Sequence, residues 1–173
     1  SVPAEDATWN NRSLAFTASS SEHMTTTADD TLATKSYSFW AKSSDTAANS
    51  VFDHGEYDEG SFMFNYTAGK PLLKLSETYY RFWVDNSAQD DNAWHHHVVY
   101  LEYDDITNSK WYVDGVLQTV DSTVSSGSAE VYTTGLRIGK RGTAYYDGSL
   151  DEFAVFDGEL TPAQILQIYN GGK

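Results

Sequence analysis

One stretch of this chain carries helical periodicity, and it stands at the end: Gly148 to Tyr169, GSLDEFAVFDGELTPAQILQIY. Thr161 supplies an N-cap hydroxyl, and Gln164, three residues on, completes a capping box. Pro162 occupies the first helical position, and Leu160 with Ile165 forms a hydrophobic staple. Ile165, Ile168 and Tyr169 then share one helical face, and Asn170-Gly171 tolerates a left-handed C-terminal cap. These signals predict a helix near 162–169. Elsewhere helix-period stretches are almost absent, and Tyr, Phe, Trp and Thr are plentiful, so the remainder has to satisfy its backbone in sheets.

The strand feeding that helix, Leu150 to Phe156, has apolar residues at both parities, as a strand covered on both faces requires. Its parity puts Phe153 and Val155 on one face, with Asp151 beside them at the strand entrance. A carboxylate on a core face costs several kcal/mol unless it is compensated. Three solutions stay open: a bound cation, backbone N–H donors, or a rim position that leaves the group wet.

At 173 residues the sequence suits one domain, 1–173, with 1–11 as a lead-in whose Trp9 packs against the body. There is no cysteine, which excludes disulfides and thiolate metal sites. The start, SVPAEDATW, has neither the basic nor the apolar region of a signal peptide and reads as a processed or excised domain. No apolar run approaches a membrane span. With 11 basic against 25 acidic residues the formal charge is −14, which repels nucleic acid and anionic membranes and attracts cations.

Strand signals follow in order. Arg12 to Ala18 alternates with Leu14 and Phe16 inward; Ser36 to Lys42 (SYSFWAK) has aromatics on both faces; Ser50 to Asp53 is short. Ser61 to Thr67, Leu72 to Ser76 and Tyr79 to Asp85 form a meander. Trp94 to Asp104 (WHHHVVYLEYD) is the longest candidate. Lys110 to Val113 and Val116 to Val120 flank Asp114-Gly115, a two-residue hairpin turn. Asp121 to Val131 reads as a Ser- and Gly-rich loop, Gly135 to Lys140 as a strand, and Arg141 to Gly148 as a loop. A dozen short strands without βαβ alternation predict an all-β, two-sheet antiparallel sandwich.

Four motifs in this order resemble the laminin-G-like, concanavalin A-like lectin/glucanase jelly rolls: SYSFWAK, WHHHVVYLEYD, KWYVDGVL and GSLDEFAVFDGELTPAQILQIYNGG. Together they span about Arg12 to Gly172. Three histidines follow Trp94 where the family usually has two, and Thr17 to Ser21 offers fewer side-chain ligands than the family's first-strand exit. The resemblance implies a structural calcium ion held by the Asp151 carboxylate and by backbone carbonyls of the first-strand exit, with Ser19 and Ser20 at its centre.

Glucan-cleaving members of that family carry a Glu-x-Asp-x-Glu strand, which sets the carboxyl pair about 5 Å apart on one face. It is missing here. Glu56-Tyr57-Asp58-Glu59 breaks the alternation within a loop, so the expectation is a non-enzyme. His95, His96 and His97 alternate between faces, and His97 falls on the core side, which favours structural histidines over a transition-metal site.

What remains is a carbohydrate-binding or adhesion module taken from a larger secreted, cell-surface or virion protein, with a glycan or polysaccharide as partner. Loop rings and oxygen groups nominate His54, Tyr57, Asp58, Tyr145, Tyr146 and Asp147 for the sugar, with Trp83 and Trp111 as sheet-face platforms. A structural or protein-interaction module without a sugar site is the alternative.

Overall fold

A computed structural model describes residues 13–26, 34–54, 60–85, 88–129 and 135–171, the side chains of Tyr66 and Thr67 excepted. In chain order the strands are β1 (Leu14–Phe16), β2 (Met24–Thr25), β3 (Lys35–Lys42), β4 (Asn49–Asp53), β5 (Ser61–Thr67), β6 (Lys70–Ser76), β7 (Tyr79–Trp83) and β8 (His95–Leu101). After them come β9 (Lys110–Val113), β10 (Val116–Leu117), β11 (Val120–Ser125), β12 (Arg137–Ile138), β13 (Lys140–Arg141), β14 (Ala144–Tyr145), β15 (Gly148–Asp157) and the helix α1 (Pro162–Gly171).

They form two antiparallel sheets, ordered β1-β15-β3-β8-β9-β10 and β11-β7-β6-β5-β4-β12-β2, with β13 and β14 as a separate small hairpin. The expected two-sheet sandwich with one C-terminal helix is therefore the observed fold. Between the sheets lies a core rich in rings: Tyr37, Phe39, Phe52, Phe62, Phe64, Trp83, Trp111 and Tyr146 are all essentially solvent-free. Burying each such side chain stabilises the fold by about 1.5–3 kcal/mol.

Alternation along β3 explains why both of its faces are covered. Tyr37, Phe39 and Ala41 enter the core. Trp40, of opposite parity, faces outward against His96 and Tyr169 of α1. The helix thus lies on the outer face of the first sheet, where Leu160 and Ile165 pack on Val98 and Tyr112. Its start is the capping box read from sequence: Thr161 N donates to Gln164 Oε1 at 2.9 Å, and Gln164 N donates back to Thr161 Oγ1 at 3.3 Å.

Several expectations change. Asp121 to Ser125, expected as the start of a loop, instead continues from Val120 as the edge strand β11, paired with β7. Polar residues on an exposed edge hide the alternation that marks a buried strand. Leu14 is 48 % exposed rather than inward, because β1 is a three-residue edge strand. Arg141 to Gly148, expected as loop, holds β14 and the second residue of β13. The strand ahead of the helix, β15, sits one place in from the sheet edge, with β1 covering only Gly148 to Leu150.

Candidate functional site

Of the six residues nominated for sugar, Tyr57 and Asp58 lie outside the described residues, as does Trp9. His54 is fully buried, its Nε2 2.7 Å from the Tyr37 hydroxyl. Tyr146 is also solvent-free, edge-on to Phe16 at 6.1 Å, and burial pushes its phenol pKa up. A loop position misled here: the Tyr146 N–H bonds to the Gly139 carbonyl at 2.9 Å and turns the ring inward. Trp83 and Trp111, both solvent-free, are core rather than platforms.

Tyr145 and Asp147 do reach the surface. The Tyr145 ring is half-buried between His23, 6.1 Å away, and the Lys140 ammonium, 5.4 Å from its centroid. Asp147 is exposed, while its backbone is fixed by the Asn49 Oδ1 acceptor at 2.9 Å and the Ser43 hydroxyl donor at 2.6 Å.

The calcium ligands expected from the resemblance are not brought together. In the β1–β15 ladder Leu14 faces Leu150 and Phe16 faces Gly148, so the chain leaves β1 toward Asp147. Three residue steps, about 10 Å at about 3.3 Å per residue, separate Gly148 from Asp151. Ser19 and Ser20 lie still further out, exposed in a short 3-10 turn that touches β14.

Nor does Asp151 occupy a core face. It stands opposite Trp40, on the outer face, while Phe153 is stacked on Phe39 in the core. The register shifts between Asp151 and Ala154, where Glu152 adopts φ 48° as the extra residue of a bulge. That extra residue reverses the parity on which the buried-carboxylate reading rested. Asp151 Oδ1 instead accepts the Glu152 N–H at 2.8 Å. Both side chains edge a cleft otherwise lined by Leu14, Met24, Ile138, Leu150 and Phe153, an apolar setting that offers a hard cation few oxygens.

The three histidines separate by face, as alternation requires. His97 lies inside, parallel to Trp111 and accepting its Nε1–H at Nδ1 over 3.3 Å. Burial holds its pKa well below the ordinary value. His96 points to the helix side, 2.9 Å from Ser38 Oγ, with its pKa lowered to about 4 by burial. His95 bridges Asp114 and Asp91. Among the described residues no three His, Cys, Asp or Glu side chains converge on a metal position.

A groove on the outer face of the second sheet was not anticipated. Its walls are Tyr80 and Phe82, neighbours of like parity on β7 with ring centroids 5.7 Å apart at 79°. Leu72 forms the floor, and the Lys74 ammonium bonds to Glu77 at 2.6 Å along one side. The two rings are half-buried, which leaves apolar ring area beside a charged pair. The signal was present in YYRFW: if Trp83 is core, the residues of opposite parity, Tyr80 and Phe82, must face out.

Two antiparallel sheets enclosing an aromatic core, a helix closing one face and a ring-lined groove on the other define a lectin-like sandwich. The chain belongs to the concanavalin A-like lectin/glucanases superfamily, whose family model matches residues 16–166. No curated protein matches the sequence. Among solved structures, the binding domain of botulinum neurotoxin DC in complex with SialylT is similar with a TM-score of 0.60 and 15 % identity, over 82 % of this chain and 36 % of that one. A botulinum neurotoxin type C structure, described as entering cells through two ganglioside molecules, gives 0.58 and 16 %, over 82 % and 36 %. Domain 4 of an extracellular arabinanase from Geobacillus stearothermophilus, in complex with arabinotriose, gives 0.52 and 16 %, over 79 % and 66 %. The chain thus spans little more than a third of the toxin chains. At these identities the likeness concerns the fold.

Proposed function

We propose that this chain is a non-catalytic carbohydrate-binding module of a larger extracellular or surface protein, and that its sugar lies in the groove of Tyr80 and Phe82. The observation that carries this is the pairing of two half-exposed rings with the Lys74–Glu77 ion pair. Ring faces stack on the C–H faces of a pyranose or furanose, and a fixed ammonium and carboxylate supply donor and acceptor for hydroxyls. The glycan-bound structural neighbours support the sugar-binding part of this reading.

The test is a glycan array followed by calorimetry on the best ligand. Tyr80→Ala and Phe82→Ala should each weaken binding at least tenfold, with the melting temperature changed little. Tyr145→Ala should leave affinity unchanged. The reverse pattern moves the site to the rim beside Asp147. An array without hits favours a structural or protein-interaction module.

A further inference from the structure

The helix α1 meets the first sheet differently at its two ends. At its entry the Ser36 hydroxyl donates to the Gly158 carbonyl at 2.8 Å and accepts the Leu160 N–H at 3.2 Å, and the Leu160 side chain is buried. At its exit Tyr169 lies over two rings of the sheet, 5.8 Å from Trp40 at 31° and 6.1 Å from His96 at 25°. Trp40 and His96 are themselves 5.3 Å apart. One turn earlier Leu166 covers the Asp114-Gly115 turn, where a Cβ on Gly115 would meet its Cδ1 at 3.2 Å. Backbone hydrogen bonds thus tie the entry, and His96 stands under the exit.

His96 is 1 % exposed, with Nε2 2.9 Å from Ser38 Oγ and Nδ1 buried without a hydrogen-bond partner among the described residues. A neutral imidazole suits this place: Nε2–H donates to Ser38, and Nδ1 is a bare acceptor. An imidazolium does not, because its second N–H would be buried with nothing to accept it. The titratable groups around the ring are Asp114 on the β9–β10 turn, His95 and His97 on its own strand, Tyr112 on β9 and Tyr169 on α1, with Glu152 of β15 against Trp40. Asp114, whose Oδ1 accepts the His96 N–H, favours charge on the ring, but burial outweighs it. Water is what a protonated His96 lacks, and the helix keeps water out.

We infer that His96 is an acid-operated latch for α1: its protonation lifts the exit of the helix from the sheet, about a hinge at Leu160, while both sheets stay formed. Docked, the ring has a pKa of about 4; released into water it returns to about 6.5. The docked state is therefore favoured above 6.5 and loses ground as pH falls toward 4. Between pH 8 and pH 5 the release equilibrium rises about thirtyfold. Release stays local because Ile165 alone among the helix residues is fully buried, and a ten-residue helix off the sheet unravels in water. Lifting it uncovers Trp40, Val98 and Tyr112, an apolar face that the chain keeps covered at neutral pH. The latch lies on the opposite sheet from the Tyr80 groove and does not depend on it.

The experiment is amide hydrogen exchange on the whole chain from pH 8 to pH 5, read against the intrinsic rate at each pH. The amides of 165–169 should lose protection about thirtyfold, while those of β3 and β8 stay the better protected at every pH. His96→Gln should flatten the helix response. His97→Phe should leave it intact, since His97 lies between the sheets rather than under the helix. Tyr169→Ala, which removes the ring over His96, should expose 165–169 already at pH 8 with β3 and β8 still protected. Helix and strands that lose protection in step, a His96→Gln chain with the parent's pH response, or a Tyr169→Ala chain as protected as the parent at 165–169 overturns the assignment.

Discussion

His95 Nδ1 lies 2.7 Å from Asp114 Oδ2, so the first residue of β8 is pinned to the Asp-Gly turn two strands' worth of sequence later. Its other nitrogen is 3.1 Å from Asp91 Oδ2, and Asp114 Oδ1 also accepts the His96 N–H at 2.9 Å. An imidazole bonded to a carboxylate at each nitrogen is best satisfied as imidazolium. The hydrogen bond with Asp114 raises the His95 pKa, with burial acting against it. Burial pushes Asp114 up, but the hydrogen bonds from His95 and the His96 N–H outweigh it and leave a net lowering.

The first prediction is the pH window of this clamp. A histidine raised on folding contributes stability that is complete below about 6.5 and lost as pH rises through its folded value. Asp114, lowered on folding, contributes above its ordinary pKa and loses that contribution in acid. The clamp is thus strongest in mild acid. His95→Gln should cost about 1 kcal/mol at pH 6 and less at pH 9. Urea unfolding at both values checks this, and an equal loss at both would show that charge plays no part.

His97 acts in the opposite direction. Its pKa is depressed by burial first and then by His95 and His96, so its neutral form contributes fully above about 6.5 and the contribution falls as pH drops. Each such histidine costs about 1.4 kcal/mol per pH unit between 6.5 and its folded value. His97→Phe should lower stability at pH 7 by about 1–2 kcal/mol, because the buried Trp111 Nε1 loses its acceptor. Between pH 6.5 and 5 its stability should nevertheless fall less steeply than the parent's. Parallel slopes would assign the acid sensitivity elsewhere, His96 being the next candidate.

The elements legible in sequence are those where one local rule decides the outcome. The capping box at Thr161 and Gln164, the Asp114-Gly115 turn and the alternation of β3 each rest on a few neighbouring residues. What escaped depends on partners far along the chain. No local signal marks β11 as a strand, because its pairing with β7 buries none of its side chains fully. Tyr146 reads as a loop ring until the Gly139 carbonyl turns it inward. The Tyr80 and Phe82 groove was readable, since alternation gives the two rings a shared face opposite the buried Trp83.

The cap itself can be measured. Thr161 and Gln164 exchange bonds at 2.9 and 3.3 Å, and the helix they start brings Ile165, 1 % exposed, onto Val98. Thr161→Ala should cost about 1 kcal/mol in urea unfolding with an unchanged m-value, as expected for a lost N-cap. A much larger loss with a lower m-value would mean that α1 detaches from the sheet.

The bulge in β15 separates the two readings of Asp151. Glu152 holds φ 48°, a region that costs a residue with a Cβ about 1–2 kcal/mol, and glycine removes that cost. Burial and the neighbouring Asp151 carboxylate also raise the Glu152 pKa, so the charge there is unwelcome. Glu152→Gly should therefore stabilise the chain by about 1 kcal/mol, less whatever entropy glycine adds to the unfolded state. Asp151→Ala removes the acceptor of the Glu152 N–H and should destabilise by about 1 kcal/mol. Both shifts should be the same in calcium and in EDTA. If the Asp151→Ala loss appears only in calcium, the carboxylate holds the ion after all; if it is equal in both, Asp151 serves the bulge, and the backbone N–H that it accepts is its only necessary partner.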